Sequence, residues 1–181
     1  QVPFAVAKAL TVTARRVQRA EVKQLDKDLD RPTPFTKRAF AVIRAEKRDF
    51  LRGKANAKVR IKPIQDSYLK TQIFGGFKLP QRRAHVIGRE ARPNRYGNLP
   101  RGTVKRLLAR PDVFSGTVGR TAGIWQRTGR GKRDLKLLVQ YVPRTSYQPK
   151  FRFFETANRT ARRFFGRQLE VEITKALRTA R

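Results

Sequence analysis

The chain has 181 residues, 39% of them hydrophobic, the scale of one domain of roughly 100–200 residues closing its own core. Lys and Arg number 44 against 13 Asp and Glu, a formal net charge of +31. That is more than solubility needs and repels itself in a compact monomer, so an anionic partner is expected: nucleic acid first, with an anionic membrane surface or an acidic protein as the other candidates. The absence of Cys excludes disulfides, thiolate metal sites and Cys nucleophiles. No apolar run approaches the roughly 18 residues of a membrane span, so the chain is read as not a membrane protein, and no membrane is counted among its expected partners. With no Met present, the initiating residue is expected upstream of Gln1.

From Pro3 to about Leu29 the spacing predicts one long helix, with Val6, Leu10, Ala14, Val17, Val22, Leu25 and Leu29 on one face. Lys8, Arg15, Arg19, Lys23 and Lys27 lie opposite. Asp26, Asp28 and Asp30 crowd the end that the helix dipole makes unfavourable for acids, so that end is expected to fray. Arg31-Pro32-Thr33-Pro34 breaks the helix. Phe35 to Phe50 predicts a second, shorter helix with Phe40, Ile43 and Phe50 in the core. Lys58-Val59-Arg60-Ile61-Lys62 alternates as a half-buried strand does, ended or bent by Pro63.

The stretch from Gln81 to Gly102 combines Pro, Gly and six Arg with little apolar periodicity. It reads as an extended basic loop or arm, partly disordered in an isolated subunit and ordered by neighbours. A helical turn holding Leu107 and Leu108 follows, opened by Thr103 and closed by Pro111, and Asp112 to Thr117 is extended. Ala122–Thr128 and Leu135–Val142 form a hairpin, and Phe151–Phe154 reads as a further strand. From Glu155 onward Ala157, Ala161, Phe165, Leu169, Ile173 and Leu177 repeat every four residues, a terminal amphipathic helix. The expected fold is one α+β domain over residues 1–181: a long N-terminal helix, a small antiparallel sheet with a long basic loop around 81–102, and a C-terminal helix.

Residues 51–150 carry 24 Lys or Arg against 4 acids, whereas residues 1–30 carry 6 against 4. The middle is therefore expected to face the anion. Arg82, Arg83, Arg89, Arg92, Arg95, Arg101, Lys105, Arg106 and Arg110 are the strongest functional signal. They read either as phosphate neutralisers without base-reading geometry or as partners of acids on a neighbouring subunit.

Reactive chemistry is poorly supported. Ser115, His85 and Asp112 would supply the atoms of a triad, but no nucleophile-elbow pattern surrounds Ser115. Asp26, Asp28 and Asp30 sit at i, i+2 spacing, which spreads them around a helix instead of converging them on a metal. Asp66, Glu90, Asp112 and Asp134 are too scattered for a two-metal nuclease. Gly75-Gly76 lacks the Lys and Ser or Thr of a phosphate loop and reads as a turn. Trp125 and Tyr141 lie in strand-like segments where burial is the commoner fate, leaving Tyr96 as the more exposed stacking candidate. The chain is therefore read as non-enzymatic, with no catalytic, cofactor or metal residues.

The strings Tyr68-Leu69-Lys70-Thr71-Gln72-Ile73-Phe74-Gly75-Gly76, Tyr96-Gly97-Asn98-Leu99-Pro100-Arg101-Gly102 and Gly123-Ile124-Trp125-Gln126-Arg127, with the order of elements around them, resemble tailed-bacteriophage proteins of the minor tail protein Z or tail-completion type. The resemblance covers most of the chain, by layout more than by signature. It implies a structural virion protein, a subunit of a ring, commonly sixfold, that completes the tail and joins it to the head around the DNA channel. Its implied partners are copies of itself, other neck and tail proteins and phage DNA, and its place is the virion, after assembly in the host cytoplasm. The alternative reading is a ribosomal or other RNA-binding structural protein, since Cys-free basic chains with extended arms are common there.

Overall fold

The computed structural model describes residues 1–80, 84–129, 131 and 134–179. In chain order the elements are α1 (Val2–Asp28), α2 (Pro34–Lys37), β1 (Phe40–Ile43), α3 (Lys47–Leu51), β2 (Lys58–Ile61), α4 (Pro63–Phe74), β3 (Gly76–Lys78), β4 (His85–Gly88), α5 (Thr103–Leu108), β5 (Val113–Val118), β6 (Thr121–Arg127), β7 (Leu135–Val142), β8 (Thr145–Tyr147) and α6 (Phe153–Arg178). The fold is α+β, as the sequence predicts. The chain divides into two compact units: Gln1–Phe74 with Pro149–Arg181, and Gly75–Gln148.

In the first unit α1 and α6 lie antiparallel, held at both ends by Lys8–Glu172 (2.9 Å) and Arg152–Asp28 (2.9 Å). Small side chains on α1, among them Ala5, Ala9 and Thr13, are buried, as are Thr156 and Thr160 on α6. Glu21 and Gln24 are buried on α1 as well, so the side of α1 away from solvent is unusually polar. The apolar core lies beside the helix pair. Leu25, Ala39, Phe40, Leu69, Phe151 and Phe153 pack there, with ring centroids of Phe40, Phe151 and Phe153 5.9–6.1 Å apart. Each of the buried Leu and Phe side chains contributes roughly 1.5–3 kcal/mol.

The helix expected over Phe35–Phe50 is instead two short helices flanking β1. Its Phe-Ala-Val-Ile run, rich in β-branched and aromatic residues, pairs antiparallel with β2, Phe40 opposite Ile61 and Ile43 opposite Lys58. Phe40 is buried as expected, but Ile43 is exposed. At the end of α1, where fraying is expected, Asp28 accepts from the Arg152 backbone N–H and guanidinium and from Gln24 Nε2. Phe151–Phe154 is no strand. The N–H groups of Lys150 and Phe151 both donate to the Gln72 carbonyl, and α6 begins at Phe153. The expected apolar stripe of α6 is only half buried, and its Ala157, Ala161 and Phe165 line, with Leu10, Ala14 and Val17 of α1, a groove of about 490 Å³.

The second unit holds a four-stranded antiparallel sheet in the order β4-β7-β6-β5 and a two-stranded one, β3-β8. The expected hairpin is β6–β7, with a register shift at Ile124/Trp125. Its register puts Ser115, Ile124 and Val139 on one face, and Phe114, Trp125 and Leu137 on the other. The first face is the core: Val113, Ile124, Leu138 and Val139 are covered by Val104 and Leu107 of α5 and by Ala91 and Leu99. From residue 84 onward the span expected to be a loose arm is therefore built into the unit. His85–Gly88 is a strand, and Leu99 packs against the core, because four residues of β-forming sequence suffice once β7 supplies the ladder.

Candidate polyanion-binding surface

The sequence-predicted cations fall on the second unit. Arg82 and Arg83 lie outside the described residues. Arg89 follows β4 directly, where its own N–H and that of Ala91 both donate to the Leu138 carbonyl (3.0 and 3.1 Å). Its Nε and Nη2 donate to Gln140 Oε1 at 2.9 and 2.5 Å, which fixes the guanidinium without neutralising it. A cleft of about 290 Å³ opens beside it, lined by Gly88, Arg89, Pro93, Asn98 and Leu99 among others.

The Arg-rich segment then closes into a tight turn. Asn94 Oδ1 accepts from the N–H groups of Tyr96 (2.9 Å) and Asn98 (3.1 Å), and the Asn94 N–H donates to the Asn98 carbonyl (2.8 Å). Asn side chains favour such local bonds, and Gly97 takes the positive φ of 77° that the turn requires. Arg95 lies over the Tyr96 ring, 4.8 Å from its centroid. Gly102, at φ 76°, starts α5, on which Val104 and Leu107 reach the core and Lys105 and Arg106 stay exposed.

These cations are not equivalent. Arg110 is engaged by Asp112 at 2.6 Å. That guanidinium holds the Asp112 carboxyl below its ordinary range against the opposing effect of burial, with help from Gln126. Arg106 donates to Thr103 Oγ1 at 3.3 Å. Arg92, Arg95, Arg101 and Lys105 are exposed and have no carboxylate partner among the described residues. An exposed, unpaired cation on an ordered backbone suits phosphate, which needs charge and not base-edge geometry. Glu90 faces Lys136 at 3.4 Å.

The residues weighed for reaction chemistry have other partners. Ser115 stands on the sheet face of Tyr141, whose hydroxyl is 3.3 Å away, whereas the register places His85 on the opposite face, its Nε2 2.9 Å from the Lys78 carbonyl. Asp26, Asp28 and Asp30 diverge to Lys37, Arg152 and Arg31. Among the described residues no group of three His, Cys, Asp or Glu is placed to hold a metal ion, and no helix is long and apolar enough to cross a membrane. Tyr96, Trp125 and Tyr141 are all half buried, and Trp125 Nε1 donates to the Gly116 carbonyl.

Sequence reasoning missed a second concentration of charge, in the first unit. Arg159, Arg163 and Arg167 repeat at i, i+4 on α6, a spacing visible in the sequence but overshadowed by the apolar stripe beside it. It also missed the buried Glu21, whose carboxylate oxygens have no hydrogen-bond partner among the described residues; burial, with Asp28 adding and Arg159 opposing, raises its pKa to about 8. No protein-family model, no curated protein and no solved structure matches the chain.

Proposed function

We propose that the chain is a structural subunit of a tailed-bacteriophage tail-completion or neck ring, working by assembly beside DNA and not by turnover. The observation that carries this reading is the pairing of two surfaces a solitary protein has little use for. The first unit leaves Phe4, Leu51, Ile64, Phe74, Phe154 and Leu177 more than half exposed, which favours burial against other subunits. The second unit carries, on an ordered turn and helix, cations with no carboxylate partner among the described residues. The layout resemblance described above supports the same reading.

Sedimentation velocity and negative-stain imaging of the purified chain test it. Ring-shaped particles of uniform size are the expected result. A monomer at micromolar concentration that carries tightly bound RNA through high salt would overturn it in favour of the RNA-binding alternative.

A further inference from the structure

Two sides of the α1/α6 pair are defined by what touches them. The apolar groove, lined by Leu10, Ala14 and Val17 with Ala157, Ala161 and Phe165, marks one side. On the other, Arg16 and Arg163 both lie over the ring of Phe164, at 4.9 and 5.4 Å from its centroid, so a guanidinium from each helix meets at one point on the seam. Helical periodicity puts Arg19 and Lys23 beside Arg16, and Arg159 and Arg167 beside Arg163. All of these cations are exposed.

This side is more positive than the chain's charge distribution suggests. Glu21 is the single acid in residues 1–25, and it is buried, so every charged side chain on the solvent face of α1 over that length is a cation. On α6, Arg159 pairs with Glu155 at 3.3 Å and the exposed Glu170 lies three residues beyond Arg167, but among the described residues no carboxylate forms an ion pair with Arg163 or Arg167. Like charges at i, i+4 destabilise a helix. Two facing rows of them raise that cost, which points to an external anion.

The geometry of the rows suits a nucleic-acid backbone. Residues four apart on a helix are separated by about 6 Å along its axis, and packed helices lie about 8–10 Å apart. Cations on such a lattice can neutralise phosphates that recur about every 3.4 Å of duplex axis on each strand. The aromatic ring on this side, Phe164, is covered by two guanidiniums, so it offers bases no stacking platform. We propose that this helical plate, centred on Arg16, Arg19, Lys23, Arg163 and Arg167, binds the phosphate backbone of duplex DNA without reading sequence. The proposal rests on the reading of the chain as a protein that works beside DNA, and it adds a duplex contact by the first unit to the exposed cations of the second.

The test is fluorescence anisotropy of the full chain with a random-sequence 30-base-pair duplex across a salt series. The quadruple variant R19Q/K23Q/R163Q/R167Q is compared with R92Q/R95Q/R101Q/K105Q. The plate variant is expected to bind about 10- to 100-fold more weakly at moderate salt, its log K against log salt slope smaller by about 3–4, near 0.9 for each phosphate no longer neutralised. Wild-type affinity and slope in the plate variant would overturn the proposal, as would tighter binding of a single-stranded RNA of equal length at the same salt. Sedimentation of the same variant separates the two readings. An intact ring that no longer binds DNA supports the plate. Disappearance of ring and binding together assigns these cations to subunit contacts and overturns it. A wild-type monomer that binds duplex through the plate upholds this proposal while sinking the ring.

Discussion

The Asp28 carboxylate accepts hydrogen bonds from both the backbone N–H (3.0 Å) and the guanidinium (2.9 Å) of Arg152, so the last turn of α1 is fastened to the residue that opens α6, 124 positions later in the chain. The side chain is 5% exposed. Burial alone would raise its pKa, but the Arg152 hydrogen bonds, with that from Gln24, outweigh burial and hold it below its usual 3.8. A depressed folded-state pKa adds stability that is present above the unfolded value and lost as pH falls through the folded one. Asp28→Asn is expected to lose about 1–3 kcal/mol at pH 7. Urea unfolding at a series of pH values checks this: the gap between wild type and variant should close below about pH 4.

Glu21 has the opposite sign. Its folded pKa, about 8, lies above the ordinary 4.5. Between those values the folded state keeps a proton that the unfolded chain releases, so stability falls as pH rises from about 4.5 to 8 and levels off beyond. Glu21→Gln removes the titration. It is expected to flatten that part of the profile and to be more stable than wild type by about 1–3 kcal/mol at pH 8. A variant whose urea midpoint still declines over this range would show that another group is responsible.

Gly123 sits where β6 crosses β7 next to the register shift. A Cβ there would come within 2.2 Å of the Val139 carbonyl oxygen and 2.8 Å of Leu137 Cδ1. The backbone atom cannot give way without breaking the ladder, so Gly123→Ala should destabilise the second unit by about 1–3 kcal/mol or more. Faster amide exchange across β6 and β7 than in wild type is the readout, with α1 and α6 as the internal control.

Asn94 organises the turn that carries Arg95 and Tyr96. Asn94→Ala removes the acceptor of two backbone N–H groups. Exchange at the Tyr96 and Asn98 amides should accelerate about fivefold to tenfold, the worth of one ordinary hydrogen bond of about 1 kcal/mol. The melting temperature should barely move, because the turn is exposed.

Elements with local signals were legible in the sequence. The 3.6-residue period gave α1 and α6 nearly to their ends, strict alternation gave β2, and the Gly-containing connection gave the β6–β7 hairpin. Elements fixed by distant partners were not. Phe40-Ala41-Val42-Ile43 becomes a strand because β2 lies beside it, and His85–Gly88 because β7 does. The burial of Thr13, Glu21, Gln24, Thr156, Thr160 and Glu172 was illegible for a related reason: polar residues on an amphipathic helix read as its wet side, and the apolar stripe of α6 reads as its dry one. Of the candidate site, the middle cations were found from composition. Arg163 and Arg167 were not, since the charge count of one terminal segment says nothing about its antiparallel partner.

Because the first unit draws α1 from the beginning of the described chain and α6 from its end, a ribosome delivers the halves of that helix pair at different times. At about 5–20 residues per second the intervening stretch takes several seconds or more to emerge. The second unit, continuous from Gly75 to Gln148, is free to fold in that interval. Throughout it α1 has no α6 to cover Ala9, Thr13 and Val17, and a nascent chain stalled before Phe153 would present them to chaperones or to a neighbouring copy's helix.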